Sequence, residues 1–272
     1  MLDMFSGLRA QGDAAKYKAG NARRLLLYLV SSMAAGAFVG IGVVLMVSTA
    51  GPFAAVGDPA TKLVSGAVFG IALTLVIYVG GELSTSGMMV LTQGALTRKI
   101  TWSRAGSTLI FSFVGNLLGA MLLAVLVVTS GVLISNAEAG QMLAEMLAAK
   151  SHESTLELFS RAILCNVLVC LGIWACGRLK SESAKAIILF WVLLAFIASG
   201  FEHVVANMTT FSIGLIAGMP ETNWLEFGRN MLIVGTGNLV GGALIVGVGL
   251  AIAAGWRWRV PIDTAAVDAE AR

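Results

Sequence analysis

Two apolar runs in this chain are too long for one straight membrane helix, and polar residues interrupt each of them. The runs cover residues 61–96 and 186–218, or 36 and 33 residues. An α-helix crosses the hydrocarbon core of a bilayer in about 20 residues. The interruptions read GGELSTSG at 80–87 and SGFEHVVAN at 199–207. Lipid offers backbone no hydrogen-bond partner, so chain that leaves the helix at membrane depth must be shielded by protein or line a cavity. The expectation is two broken helices inside a packed bundle, not two loops in lipid.

Composition makes lipid the expected solvent. The chain is 57% hydrophobic and 12% charged, whereas a soluble domain is about a quarter charged. Four more apolar stretches, at 25–49, 105–132, 157–177 and 228–255, bring the candidate spans to six. Residues 1–24 lack the long apolar core of a signal peptide. With Met4, Leu8 and the basic set Lys16, Lys18, Arg23 and Arg24 they read as an amphipathic helix on the membrane surface. Residues 25–255 then form a six-helix bundle and 256–272 a tail, in one transmembrane domain over 1–272.

Charge sets the orientation. With six crossings, one side collects 14 of the 18 basic residues, from Arg9 through Arg104, Arg178, Lys180 and Lys185 to Arg257, Arg259 and Arg272. The other side holds Lys62, Lys150, Arg161 and Arg229. The positive-inside rule makes the first side cytoplasmic and puts both termini there. Trp256 and Trp258 alternate with arginines in WRWR, as in an interfacial anchor. A net charge of +3 with scattered cations excludes a nucleic-acid partner. Cys165, Cys170 and Cys176 share one apolar segment without zinc or redox spacing, and read as buried small residues.

The halves of the chain echo each other. Glu82 and Glu202 each have a Met six residues on, and GNLLGA at Gly115 matches GNLVGG at Gly237. Glu82 lies 34 residues before Asn116, and Glu202 lies 36 before Asn238. Three spans per half is an odd number, so the repeats are inverted, which directs a substrate pathway to the midplane between the broken helices. The Gly-x-x-x-Gly pairs at Gly36, Gly115 and Gly237 permit close helix packing.

His203 is the sharpest candidate for chemistry. An ionisable side chain inside a membrane is costly and faces a cavity or a partner, and imidazole titrates near neutrality. The plainer reading is a neutral His bridging two helices. Each break also starts a half-helix, whose unpaired N–H groups favour an anion. Thr85, Ser84 and Ser86 in the first break and Asn207 in the second add hydrogen-bonding groups. Thr85 serves equally well as an N-cap. Glu82 and Glu202 oppose an anion, so they are expected to brace the broken backbone by accepting N–H bonds. No nucleophile–base–acid set, metal-ligand spacing or phosphate loop appears, so neither an enzyme nor a cofactor is expected.

GFEHVVANM, GELSTSGMM, NVLVC at 166–170 and the two GNL runs together resemble the formate/nitrite transporter family over nearly the whole chain. FGIALTLVI at 69–77, LLAFIASGFEH at 193–203 and the short N-terminus lean toward its nitrite-channel branch. The resemblance implies an all-α, aquaporin-like fold of six transmembrane helices with the second and fifth broken. It implies a homopentamer in a prokaryotic inner membrane, with one pore per protomer, for nitrite, formate or a similar small anion and protons. It places His203 and Thr85 between constrictions made by Phe69, Leu73, Leu83 and Phe196. Lys150 would be a basic residue on the outer vestibule and Asn166 a buried Asn. Asn116 and Asn238 fall in the matched GNL runs.

The chain departs from many relatives in having Ser84 where they carry Phe, which is expected to widen or wet the neighbouring constriction. Two other classes fit the chain less well. A water or glycerol channel also has inverted repeats, but it carries two Asn-Pro-Ala motifs, and none of the four prolines here follows an Asn. A non-transporting sensor leaves the midplane His without a purpose.

Overall fold

The structure is a computed structural model that describes residues 1–256. Arg257, Trp258, Arg259 and Arg272, used above for charge and anchoring, lie outside the described residues, as does the tail from 257 on. Among the described residues the fold is helical, without strands. Helix α1 covers Met4–Asn21 and α2 covers Leu25–Ala55. Next come α3 (Thr61–Gly80) and α4 (Ser84–Leu96). Helix α5 (Trp102–Thr129) leads through one short turn to α6 (Ala137–His152). The rest are α7 (Thr155–Arg178), α8 (Glu182–Ala198), α9 (Val204–Ala217) and α10 (Trp224–Ala253).

Five of these, α2, α3, α5, α7 and α10, are continuous helices long and apolar enough to cross a membrane. The 186–218 run divides into α8 and α9, of 17 and 14 residues, so neither half spans alone. The other long run divides into α3 and the 13-residue α4. Both interruptions are therefore real departures from helix, at 81–83 and 199–203.

Each departure is prepared by a glycine. Gly80 has φ +99° and Gly200 has φ +71°, a left-handed region that strains any residue with a Cβ. The chain is extended by Leu83 and His203, and the freed backbone bonds to a neighbouring span. Glu82 N–H donates to Ser31 O (3.1 Å) and Glu202 N–H to Arg161 O (3.3 Å).

One buried Asn then locks each break. Asn116 on α5 accepts from Ser84 N–H (2.9 Å) and donates to Ser32 O (2.8 Å) and Glu82 O (2.9 Å). Asn238 on α10 accepts from Val204 N–H (2.9 Å) and donates to Ala162 O (2.7 Å) and Glu202 O (2.9 Å). Every backbone group so paired would otherwise cost its desolvation in an apolar interior. The glycines of the GNL runs bring these helices close enough. A Cβ on Gly119 would collide with the Met33 carbonyl, and one on Gly241 with the Ile163 carbonyl.

The N-terminal helix packs on the bundle. Asp3 caps α1 by accepting from Ser6 N–H at 2.8 Å. Leu8, Gln11, Ala15 and Ala19 then form one buried face. That face meets protein: a Cβ on Gly94 of α4 would strike Ala15, and Leu2 N–H donates to Arg178 O (2.9 Å). The apolar positions that suggested lipid are spent on the bundle.

Candidate functional site

The two half-helices begin at the same place. Thr85 lies in the first turn of α4, His203 is the N-cap of α9, and Thr85 Oγ1 is 3.0 Å from His203 Nε2. Ala206 N–H donates to His203 Nδ1 (3.2 Å), so Nδ1 presents its lone pair and the neutral ring carries its hydrogen on Nε2. The imidazole thus caps its own helix on one side and points an N–H at the Thr85 hydroxyl on the other. Two positive helix ends converge on this contact.

Aromatic and aliphatic walls enclose it. His203 is 5% exposed and stacks on Phe196, centroids 6.0 Å apart, and Phe196 meets Phe69 edge-on at 5.6 Å. A cavity of about 260 Å³ reaches these rings from the Lys150 side and is also lined by Glu202, Asn207 and Arg161. Beyond the rings lies a chamber of about 10 Å³ bounded by Phe69, Phe196, Leu73, Leu83 and His203. That is room for about one water molecule. Phe69 and Phe196 border both spaces and divide them. A larger cavity of about 550 Å³, beside Arg98, Trp102 and Trp256, shares no lining residue with either.

The carboxylates do something other than brace the backbone. Glu82 accepts from Lys18 Nζ at 2.6 Å, and Glu202 from Lys150 Nζ at 2.5 Å. The Asn residues, not the carboxylates, take the break's backbone groups. Lys150, expected as a vestibule cation, is thus a paired one, 11% exposed. The second oxygen of Glu202 accepts from Asn207 Nδ2 (2.6 Å), which also donates to Asn230 Oδ1 (2.8 Å).

Among the sequence candidates, His203, Phe69, Leu73, Leu83 and Phe196 come together around the chamber, with Thr85 joined through its bond to His203. Lys150, Glu202 and Asn207 line the vestibule. Ser84 and Asn166 line neither space. Ser84 is fully buried, its N–H held by Asn116 and its hydroxyl without a protein partner. Asn166 ties the two halves by donating to Thr85 O (3.2 Å) and Asn238 O (2.7 Å). Sequence reasoning passed over Asn230, although a buried Asn in an apolar span is a readable signal. It also missed Glu153 as a vestibule residue and Val39, Val169 and Leu193 as chamber walls. Among the described residues, no cluster of His, Cys, Asp and Glu is arranged to hold a metal ion.

The chain is similar to known proteins over most of its length. The nitrite transporter NirC of Escherichia coli (strain K12) is 38% identical over 243 residues, covering 89% of this chain and 88% of that one. A solved structure described as an FNT family ion channel superposes with a TM-score of 0.83 at 35% identity, covering 91% and 98% of the two chains. Another, described as a pentameric formate channel with formate bound, has a TM-score of 0.72 at 27% identity, covering 88% and 98%. The family model for formate/nitrite transporters matches residues 8–252, a stretch that contains both helix breaks, their locking asparagines and the His203–Thr85 contact, and the chain belongs to that family.

Proposed function

We propose that this chain is a membrane channel for a small monovalent anion, with nitrite as its main substrate. The observation that carries this reading is the position of His203, where two helix N-termini meet between a polar vestibule and a nearly dry chamber. A bare anion entering a chamber of about one water's size loses its hydration at a cost of several kcal/mol. Two helix ends and an aimed N–H lower that cost for a negative ion. Protonation removes most of it, since a neutral acid passes Phe69, Leu73, Leu83 and Phe196 with little penalty.

His203 acts here as hydrogen-bond donor through Nε2, and as the proton source when the anion leaves as its acid. Each such transfer starts from the ring in its protonated form: one proton passes to the anion, the ring is left neutral, and it is protonated again from the vestibule side. Lys150, paired with Glu202, adds positive charge to the vestibule; the Thr85 hydroxyl offers the anion a hydrogen bond; Asn207 spends its N–H groups on Glu202 and Asn230; and Asn166 holds the two breaks in register. Ser84 relaxes the packing beside the Leu83 constriction.

The arrangement goes with six transmembrane helices in two inverted three-helix repeats. The protein then assembles as a homopentamer in a prokaryotic inner membrane, both termini in the cytoplasm. A second reading, a formate or general weak-acid channel, draws on the likeness to the formate-bound channel. Nitrite and formate uptake into proteoliposomes, measured in competition, separates the two. Equal rates would remove the nitrite assignment. His203→Asn leaving both flux and its pH dependence unchanged would remove the proton-donor role.

A further inference from the structure

The vestibule contains an ion pair that the pathway above does not use. Arg161, at the start of α7, donates from a guanidinium nitrogen to Glu153 Oε1. Both residues line the 260 Å³ cavity that ends at Phe69, Phe196 and His203. Arg161 is 40% exposed, while Glu153 is 14% exposed and its other oxygen, Oε2, is buried without a hydrogen-bond partner. The other cations nearby are engaged elsewhere or at the rim. Lys150 is held by Glu202. Arg229 binds Glu226 and the carbonyls of Ser151 and Glu153. Lys62 lies exposed on α3.

A carboxylate is a planar monoanion with two oxygens, and so are nitrite and formate. A guanidinium fork matches such an oxygen pair better than an ammonium does. We propose that Arg161 is an outer binding subsite for planar two-oxygen monoanions, and that the Glu153 carboxylate occupies it as an internal competitor. This rests on the anion-channel reading. An arriving anion displaces Glu153 from the guanidinium, and protonation of Glu153 leaves the guanidinium open.

The surrounding charges set when that happens. Burial pushes the Glu153 carboxyl above its ordinary range, and the nearby Glu202 adds to this. Lys150 and Arg161 pull the other way, and Glu157 on α7 adds a weaker push upward. Nearby on the same rim, His152 is paired with Glu221 at 3.0 Å. A raised carboxyl takes up its proton at a higher pH than an exposed one, so acidification neutralises Glu153 early. The lining cations Lys62, Lys150 and Arg161 then face Glu202 alone instead of Glu153 and Glu202, and the net charge of the vestibule rises by one.

The test is the half-saturation concentration for nitrite uptake into proteoliposomes over a pH series that includes about pH 5 and about pH 7.5. Wild type is expected to saturate at lower nitrite at the acidic pH. Arg161→Ala should raise the half-saturation concentration about fivefold there, and Arg161→Lys should recover part of the loss. Glu153→Gln should give at about pH 7.5 the value wild type shows at about pH 5. Wild-type values for both Arg161→Ala and Glu153→Gln at both pH values would overturn the subsite. If His203→Asn lost flux in that case, the channel reading would stand without it. Calorimetric titration of nitrite into detergent-solubilised protein makes the same comparison without transport. Equal affinities of wild type, Arg161→Ala and Glu153→Gln there would also overturn the subsite, even if no flux were seen.

Discussion

The two helix breaks use the same holding parts and differ at the residue that follows the glutamate. Each has a left-handed glycine, a glutamate paired with a lysine, and an Asn that binds three backbone groups. The residue after the glutamate is Leu83 in the first break and His203 in the second. Leu83 makes no side-chain cap and closes the chamber. His203 caps α9 and reaches across to Thr85. Holding a broken helix open needs the full set of bonds twice, because each break frees its own backbone groups. Chemistry at the meeting point needs a polar side chain once. The likeness reports a shared mechanical problem, and the mismatch after the glutamate sets the two breaks apart chemically.

The largest expected effect tests the mechanical equivalence. Asn238→Ala leaves Val204 N–H and Glu202 O unpaired, at about 1–3 kcal/mol for each buried group, and removes a second bond to Ala162 O. A loss of roughly 2–6 kcal/mol is expected in detergent unfolding. Asn116→Ala should match it within about 1 kcal/mol. A neutral result at either site would show that the two locks are not equivalent.

Smaller effects sharpen the asymmetry. Glu202→Gln strands Lys150 beside a side chain 6% exposed, whereas Glu82 is 14% exposed. Removing one partner of a buried pair costs about 3 kcal/mol and less where water reaches the site. Glu202→Gln should therefore destabilise more than Glu82→Gln in the same unfolding assay, and the reverse order would contradict the burial difference. His203→Leu gives the second break the residue that follows the glutamate in the first. It should cost only about 1 kcal/mol of stability through the lost cap while anion flux falls about tenfold or more. If flux survived, the mismatch between the breaks would not be functional. Thr85→Val keeps shape and removes the hydroxyl that faces Nε2. A loss of about 1 kcal/mol and a few-fold fall in flux are expected, measured by unfolding and by proteoliposome uptake.

Much of this was readable before any coordinates. Lipid cannot satisfy broken backbone, so polar interruptions in over-long apolar runs already located both breaks. The repeated spacing from Glu to Asn pairs Glu82 with Asn116 and Glu202 with Asn238 as structural residues of the breaks; the asparagines hold the backbone, while the carboxylates take lysines. The lysine partners were illegible, because Lys18 and Glu82 are 64 residues apart and Lys150 and Glu202 are 52 apart. Lys18 looked like one more interfacial cation and α1 like a surface helix. Ser84 looked like a pathway residue, because sequence places it between Leu83 and Thr85 but does not say which way each side chain points in the first turn of α4.

By itself, the sequence determined the solvent, the helical class, the two breaks and the family. These follow from local composition, periodicity and short motifs, which act on the chain wherever it goes. The tertiary structure decided which side chains share a space. Only packing could seat His203 against Thr85, 118 residues away, or close a chamber from Phe69, Leu73, Leu83 and Phe196. Only packing could give Arg161 to Glu153 and Lys150 to Glu202. The cost of an unpaired charge or a dry cavity depends on what surrounds it in three dimensions.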